Sequence, residues 1–221
     1  MVFMKPGNIH QIVAMLKEMC SSWRSPAVTV VAERDRSPFT VLVSCIISLR
    51  TKDQVTAEAS ARLFGRANTP ELMRKLTVDE IEALIYPAGF YRNKAAQILE
   101  ISRRLLEDYD GKVPDSIDEL LKFNGVGRKT ANLVVTLGFG KPGICVDTHV
   151  HRIFNRLGYV ATKTPEQTEM ALRDKLPSEY WIEINDLLVA FGQNCCHPVS
   201  PRCTQCGIAP FCSRLGVKKF R

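Results

Sequence analysis

The sequence predicts an all-α protein. Helix-capping residues repeatedly precede stretches in which apolar residues recur every three or four positions, and no strand pattern competes with them. Hydrophobic residues make up 45% and charged residues 24% of the 221 residues, which is typical of a soluble globular protein with a packed core. A chain of this length favours one or two compact domains.

Four helix starts are marked by their capping residues. Ser37-Pro38 and Thr69-Pro70 each place a capping residue before a proline at the first helical position. Thr77 to Glu80 and Ser116 to Glu119 have the spacing of capping boxes. The segment 39–49 is apolar and rich in β-branched residues, as a buried strand would also be, but its capping residue favours a buried helix.

The clearest helix is predicted over 93–109. Ile98, Ile101 and Leu105 recur there at helical spacing, and Asp110-Gly111 supplies a stop signal. We therefore expect one face of this helix to be buried.

The segment 116–138 has the pattern of a helix, a tight turn and a second helix. Gly125 and Gly127 in the turn would let a ligand approach the backbone closely. The helix that opens at Arg128 would then present unpaired N–H groups to an anion such as a DNA phosphate. The alternative is that the two glycines only permit the turn, and these residues alone leave both interpretations open.

The composition restricts the partners and the compartment. The net charge is +7 and the isoelectric point is about 9.0, which makes an anionic partner plausible without identifying it. We find neither a signal-peptide pattern nor a run of about eighteen apolar residues. We therefore expect a cytoplasmic, chromosome-associated protein.

The eight cysteines are unevenly distributed, because five of them fall in the last 27 residues. This clustering favours a metal centre over scattered disulfides. Four thiolates with the spacing Cys196-x6-Cys203-x2-Cys206-x5-Cys212 suit either Zn²⁺ or an iron–sulfur cluster. Structural zinc sites more often pair two C-x2-C units, and this segment contains one.

Several linked motifs resemble the endonuclease III family of helix-hairpin-helix DNA glycosylases. In the order and spacing of that family they are Ser48 to Asp53, Gly89 to Lys94, Gly125 to Ala131, Val146 to His149 and the cysteine cluster. The resemblance implies a two-lobed helix-hairpin-helix DNA glycosylase fold. It places a six-helix domain at 31–141 and a discontinuous iron–sulfur cluster domain at 1–30 and 142–221.

The resemblance implies that Lys129 is the catalytic amine and Asp147 the catalytic carboxylate. Breaking the C1′–N bond of a nucleoside builds positive charge on the sugar, which a carboxylate stabilises, and an amine that attacks C1′ forms a covalent intermediate. Without the resemblance, Lys129 would be a solvated lysine and Asp147 a helix cap before Thr148. Lys94 and the N-terminal amine are the alternative nucleophiles.

The resemblance also implies a set of DNA contacts. These are Gly125, Val126, Gly127, Arg128, Ser48, Arg50, Asp53, Phe90 and His149. Arg50 stands where many members have a glutamine that enters the space left by a flipped base, and Phe90 stands where an aliphatic wedge is usual. Outside this family, Phe90 would be interpreted as a core residue and Arg50 as a solvated surface charge.

The cysteine spacing is the pattern with which the endonuclease III family binds a [4Fe–4S] cluster. The resemblance therefore assigns the cluster to Cys196, Cys203, Cys206 and Cys212. Cys20, Cys45, Cys145 and Cys195 are predicted to be non-ligands, and His197 is predicted to face solvent.

These features together predict a monomeric bifunctional DNA glycosylase and AP lyase of base-excision repair. It would remove oxidised pyrimidines from double-stranded DNA and nick the abasic site by β-elimination. One alternative is a monofunctional adenine or thymine/uracil mismatch glycosylase, which Lys129 disfavours because water in its place would stop at the abasic site. The other is a non-catalytic iron–sulfur DNA-binding module, which Lys129 and Asp147 together disfavour.

Overall fold

The computed structural model describes residues 9–23, 25–35 and 37–221. Its α-helices are α1 (Ile9–Cys20), α2 (Ala27–Asp35), α3 (Pro38–Ser48), α4 (Asp53–Arg66), α5 (Pro70–Met73), α6 (Val78–Ile85), α7 (Tyr91–Asp108), α8 (Ile117–Leu120), α9 (Arg128–Leu133), α10 (Thr148–Leu157), α11 (Pro165–Lys175) and α12 (Ile184–Asn194). A π-helical turn at Val134–Gly138 extends α9. No strand occurs in these described ranges, and the predicted all-α fold class is confirmed.

Contacts within the chain define two compact units, each with its own helices. One unit is continuous and runs from Pro26 to Gly143. The other, the terminal unit, combines the described residues up to Ser25 with Ile144–Arg221. In the part of the chain that the structure describes, no helix has both the length and the apolarity to cross a membrane.

The centre of the continuous unit is α3. Every residue from Phe39 to Ile47 is buried, and the helix packs against α2, α4, α7 and α9. A helix covered on all sides has no polar face, which explains why this stretch lacks an amphipathic pattern. The buried helix predicted over 39–49 is therefore confirmed.

The capping residues act largely as predicted. The Thr69 hydroxyl accepts a hydrogen bond from the N–H of Leu72. At Thr77 the complete capping box forms, because the Glu80 side chain also accepts from the backbone N–H of Thr77. Ser37 occupies the predicted N-cap position of α3 but makes no side-chain cap hydrogen bond.

The second predicted capping box forms only in part. The Ser116 hydroxyl accepts from the N–H of Glu119, as expected. The Glu119 carboxylate instead accepts hydrogen bonds from the Tyr109 hydroxyl at 3.0 Å and from Lys122 at 2.5 Å. Side chains outside the capping motif therefore compete for the carboxylate that the complete box requires.

The helix predicted over 93–109 is α7. It buries the predicted stripe of Ile98, Ile101 and Leu105. Asp110 and Gly111 follow it with φ of 51° and 72°, and the Gly111 N–H donates to the Leu105 carbonyl at 2.8 Å. The stop signal in the sequence thus produces a left-handed helix end.

In the terminal unit, α1, α10, α11 and α12 contribute to one core. Its largest buried side chains include Phe154, Tyr159 and Phe191. α1 packs against α12, and the Cys20 thiol donates to the Leu187 carbonyl at 3.5 Å. This core supports α10, the helix that begins next to Asp147.

Candidate functional site

The two hairpin glycines have different structural roles. Gly125 has φ of +74°, and a Cβ there would overlap the amide group of Gln97, so the turn requires glycine. Gly127 is the N-cap of α9 with φ of −90°, and a Cβ there would meet nothing within 4 Å. The fold does not require glycine at 127, so its missing side chain leaves the backbone open to a ligand.

The hairpin backbone is held from α7 by two side chains. The Gln97 amide donates to the Asn124 carbonyl at 2.8 Å, and Arg104 donates to the Lys122 carbonyl at 2.9 Å. The Arg104 guanidinium also lies 4.9 Å from the ring centre of Phe123. The sequence interpretation missed Gln97 and Arg104. Their spacing of seven, which places both on one helix face, was the available signal.

The residues after the hairpin open α9. Val126 buries its side chain and donates its N–H to the Phe123 carbonyl at 3.1 Å, so it has no donor left for a ligand. Lys129 is half-buried in the first turn. Burial raises the pKa of the Cys45 thiol on α3 to about 12, and the charge of Lys129 partly opposes this shift. The Lys129 charge therefore acts on the buried core around α3.

Arg50 and Phe90 lie side by side on two loops of the continuous unit. The Arg50 guanidinium lies 5.5 Å from the centre of the Phe90 ring. Both residues have left-handed backbone conformations, with φ of 51° for Arg50 and 57° for Phe90. Phe90 is 61% exposed, so its interpretation as a core residue is wrong.

The remaining predicted residues of these loops lie at helix ends. Ser48 ends α3 and donates from its hydroxyl to the Cys45 carbonyl at 2.7 Å, and Asp53 begins α4. Lys94 is only 4% exposed, with its ammonium bonded to neighbouring acceptors, so it is poorly placed as an alternative nucleophile. The N-terminal amine, the other alternative, lies outside the described residues.

Asp147 is the N-cap of α10. Its Oδ1 accepts hydrogen bonds from the N–H groups of His149 at 2.8 Å and Val150 at 2.9 Å. The cap interpretation is therefore correct as a description of the structure, and it fixes the orientation of the half-buried carboxylate. His149 packs against α12 so closely that a Cβ at Gly192 would overlap its ring.

Two arginines of α10 hold the start of the cysteine segment. Arg152 donates to the Cys196 carbonyl at 2.9 Å. Arg156, which is 9% exposed, donates to Cys196 Sγ at 3.2 Å and to the carbonyls of His197 and Pro198, both at 2.7 Å. The sequence interpretation missed both arginines, although their spacing of four places them on one face of the helix.

The four predicted ligand cysteines line one cavity. Its lining includes Cys196, Cys203, Cys206 and Cys212, together with Cys195. Cys196 accepts the guanidinium N–H described above, and Cys212 Sγ accepts the backbone N–H of Arg214 at 3.4 Å. Such donors stabilise thiolates. Among the described residues, no three Cys, His, Asp or Glu side chains are close enough together to hold a single metal ion.

Comparisons with known proteins identify the family. The sequence model of one protein family, described as HhH-GPD superfamily base excision DNA repair protein, matches residues 43–178. The chain belongs to this superfamily. It is also 50% identical over 179 residues to endonuclease III of Thermotoga maritima, covering 81% of this chain and 84% of that protein.

Two solved structures of endonuclease III with DNA have the same fold. One is described as a non-covalent endonuclease III–DNA complex and the other as a trapped covalent intermediate in an estranged-adenine complex. Each has a TM-score of 0.83 and 32% sequence identity, and each match covers 97% of both chains. The chain is therefore a DNA-binding glycosylase and AP lyase of base-excision repair, as the sequence predicted.

His197 was expected to face solvent and not to act as a ligand. The residue is partly exposed, but its Nε2 is buried and has no hydrogen-bond partner within the described part of the chain. Burial lowers the pKa of His197, and the charges of Arg202, Arg221 and Arg152 lower it further. Arg202, which lies between Cys196 and Cys203, is exposed.

Proposed function

We propose that this endonuclease III relative removes oxidised pyrimidines from double-stranded DNA and nicks the strand through a Schiff base on Lys129. The position of Lys129 carries the proposal, because it lies two residues after Gly127 and is half-buried at the start of α9. A phosphate held at the hairpin would therefore lie within one helical turn of this amine. A trapped covalent complex of a relative with DNA supports such an intermediate.

The hairpin grips the DNA backbone in this proposal. The N–H groups of Gly125, Gly127 and Arg128 face a phosphate, whereas that of Val126 is bonded to the Phe123 carbonyl, and Gly127 has no side chain to obstruct the contact. This contact is blind to base sequence, so it positions the enzyme without selecting the lesion. Ser48, Asp53 and His149 are proposed to contact the DNA near the displaced nucleotide.

The reaction proceeds in two stages. The neutral amine of Lys129 attacks C1′, the C1′–N bond breaks, and the base leaves with the bond electrons and takes up a proton. The C1′–O4′ bond of the sugar ring then breaks as O4′ takes up a proton, which leaves a protonated Schiff base that acidifies the C2′ proton. Removal of that proton breaks the C3′–O bond and releases the 3′ phosphate, and water then hydrolyses the Schiff base to restore Lys129.

Asp147 is proposed to act on the same sugar. Its negative charge stabilises the positive charge that develops as the base departs, and it accepts protons from the attacking amine. Because its Oδ1 accepts two backbone N–H groups, the carboxylate is oriented before DNA binds. Preorganised charge of this kind requires little reorganisation during the reaction.

We propose that Cys196, Cys203, Cys206 and Cys212 hold a [4Fe–4S] cluster. Their shared cavity and the N–H donors to Cys196 and Cys212 fit four thiolates around a group larger than one ion. The cluster would supply structural cross-linking of the C-terminal segment and would hold that segment for DNA contact. Cys195 lines the same cavity, and its thiol contacts both the Arg202 carbonyl at 3.8 Å and Cys206. It is excluded from the ligand set because using it in place of Cys196 would change the x6 spacing to x7.

Arg50 and Phe90 are proposed to open the duplex. Both side chains are exposed, and the arginine lies over the aromatic ring before DNA binds. The ring can enter the base stack while the guanidinium fills the space of the displaced nucleotide. We further propose that the enzyme works as a monomer on cytoplasmic chromosomal DNA. The predicted domains at 31–141 and at 1–30 plus 142–221 are proposed to correspond to the continuous unit and the terminal unit, with the first boundary moved to Pro26 because α2 packs against α3 and α4.

Gly127→Ala tests the hairpin contact. We expect the variant to fold normally but to bind damaged and undamaged duplex about tenfold more weakly, because its methyl group obstructs a charge-assisted N–H contact. The slope of log affinity against log salt should become shallower by about 0.9, the value for one phosphate. Fluorescence anisotropy measures both effects.

Gly65→Ala is the matched control, since a Cβ at this exposed helical position also meets nothing within 4 Å. It should leave DNA affinity unchanged. Unaltered affinity and salt slope in Gly127→Ala would contradict the hairpin contact.

The substrate proposal is tested by single-turnover excision from a panel of duplexes. The panel contains oxidised pyrimidines, uracil, mismatched thymine and mismatched adenine at the same position. We expect the fastest excision from oxidised pyrimidines, followed by a nick at each site that is released. Excision of a mismatched base without a nick would instead identify a monofunctional enzyme.

A further inference from the structure

Lys94 joins the end of α3 to the loop that carries Arg50. Its ammonium donates to the carbonyls of Ile47 at 2.7 Å and Leu49 at 2.6 Å. A third hydrogen bond reaches the Thr51 hydroxyl at 2.9 Å. All three ammonium hydrogens therefore have acceptors within a single stretch of five residues.

The Thr51 hydroxyl extends this connection to the second loop. It accepts a hydrogen bond from the N–H of Gly89 at 3.0 Å, directly before Phe90. The loops also touch through their backbones, because a Cβ at Gly89 would overlap the Arg50 carbonyl oxygen. Any other residue at 89 would push the two loops apart.

The two exposed residues that these loops carry have unfavourable backbone conformations. Arg50 and Phe90 are both left-handed without being glycine. Such conformations persist only where the surrounding structure holds them. The hydrogen bonds of Lys94 and Thr51 connect the backbones of the two loops, and the guanidinium–ring contact connects the Arg50 and Phe90 side chains.

Lys94 does more than cap α3. Burial lowers the pKa of its amine to about 8, so keeping an ammonium at this position is unfavourable. A cap for the carbonyls of Ile47 and Leu49 would need no bond to Thr51. Through this bond Lys94 is connected to the Phe90 loop, because the same Thr51 hydroxyl accepts from Gly89.

We propose that Lys94 is a positioning residue that makes the Arg50 loop and the Phe90 loop one rigid element for opening the duplex. The inference rests on the proposed function, in which Arg50 and Phe90 displace the damaged nucleotide. Lys94 itself does not touch the DNA in this account. It acts by fixing the separation of two side chains that must enter the base stack together.

Lys94→Met removes the three hydrogen bonds while retaining most of the side-chain volume. The substrate is a duplex with an oxidised thymine opposite 2-aminopurine, whose fluorescence rises when its stacking is lost. We expect most of this rise to disappear and single-turnover excision to slow about tenfold or more, as misplacement of a positioning group predicts. Nicking of an abasic site in an unpaired bubble should stay within about twofold, because no base has to be displaced there.

Thr51→Val is the second variant, and it tests the connection between the two loops if Lys94→Met fails to fold. It removes the hydroxyl that bonds to Gly89, to Lys94 and to the Leu49 carbonyl, but leaves the two bonds from Lys94 to the end of α3. We expect the same selective loss on duplex substrate. Lys75→Met, which removes an exposed lysine, should change neither excision from the duplex nor nicking of the bubble substrate.

The proposed function and the inference fail in different ways. If Arg50→Ala and Phe90→Ala leave fluorescence and excision unchanged, the duplex-opening function is wrong. If they reduce both but Thr51→Val and a folded Lys94→Met do not, the positioning role is overturned. Equal losses on duplex and bubble in Thr51→Val would also overturn it, because they would indicate a general structural defect.

Discussion

Lys129→Gln is expected to abolish borohydride trapping and to slow enzyme-dependent nicking by a factor on the order of a thousand or more. Glutamine is polar and only one atom shorter than lysine, but its amide nitrogen cannot form a Schiff base. Duplex affinity should remain within about threefold, because the hairpin N–H groups that bind phosphate are unchanged. Gel separation of the borohydride-reduced adduct measures trapping, and a nicking assay on abasic duplex measures the lyase reaction.

Asp147→Asn provides the contrast for this result. Asparagine is as good an N-cap as aspartate, so α10 should keep its start while the negative charge is lost. Base release should slow, yet some nicking of a preformed abasic site should remain. Preserved trapping in Lys129→Gln would mean that another amine is the nucleophile. Lys94 is a poor candidate for that role, because it is buried and its ammonium is already hydrogen-bonded.

Cys212→Ser is expected to cost the protein its yellow-brown colour, its bound iron and sulfide, and most of its soluble yield. The parent protein should contain about four irons and four sulfides per chain. A structural metal centre contributes folding free energy directly, so losing one ligand destabilises the unit it cross-links. Iron and sulfide analysis, visible absorbance and thermal unfolding measure the change.

Cys195→Ser is a demanding control, because Cys195 lines the same cavity as the four predicted ligands. It should keep the colour and the metal content. A reversed result, with the cluster lost in Cys195→Ser and retained in Cys212→Ser, would reassign the ligands. Stoichiometric zinc without iron in the parent protein would contradict the cluster altogether.

Sequence reasoning succeeded where the decisive interactions are local. The buried helix α3, the end of α7 and the capping box at Thr77 each depend on residues within one or two turns. The hairpin turn was also predictable, because Gly125 occupies a conformation that few other residues accept. Linked motifs then extended these local patterns to the family and its activity.

The failures share a different cause, which is a partner that is distant in sequence. The bonds from Lys94 reach 43 to 47 residues back along the chain, and Arg156 reaches 40 residues forward to Cys196. Tyr109, ten residues upstream, takes part of the hydrogen bonding of Glu119. The burial of the His197 Nε2 likewise depends on the surrounding fold.

The terminal unit is built from two segments that lie far apart in the sequence. The continuous unit can complete its contacts as soon as residue 143 has been synthesised, whereas α1 must wait for α12, whose Leu187 lies 167 residues beyond Cys20. In refolding of the complete chain, closing this long loop also costs entropy that the more local contacts of α3 do not. We therefore expect amide protection in pulse-labelled refolding to appear in α3 before α1, and simultaneous protection would contradict this order. α1, which is synthesised before the other described helices, is thus among the last to reach its native neighbours.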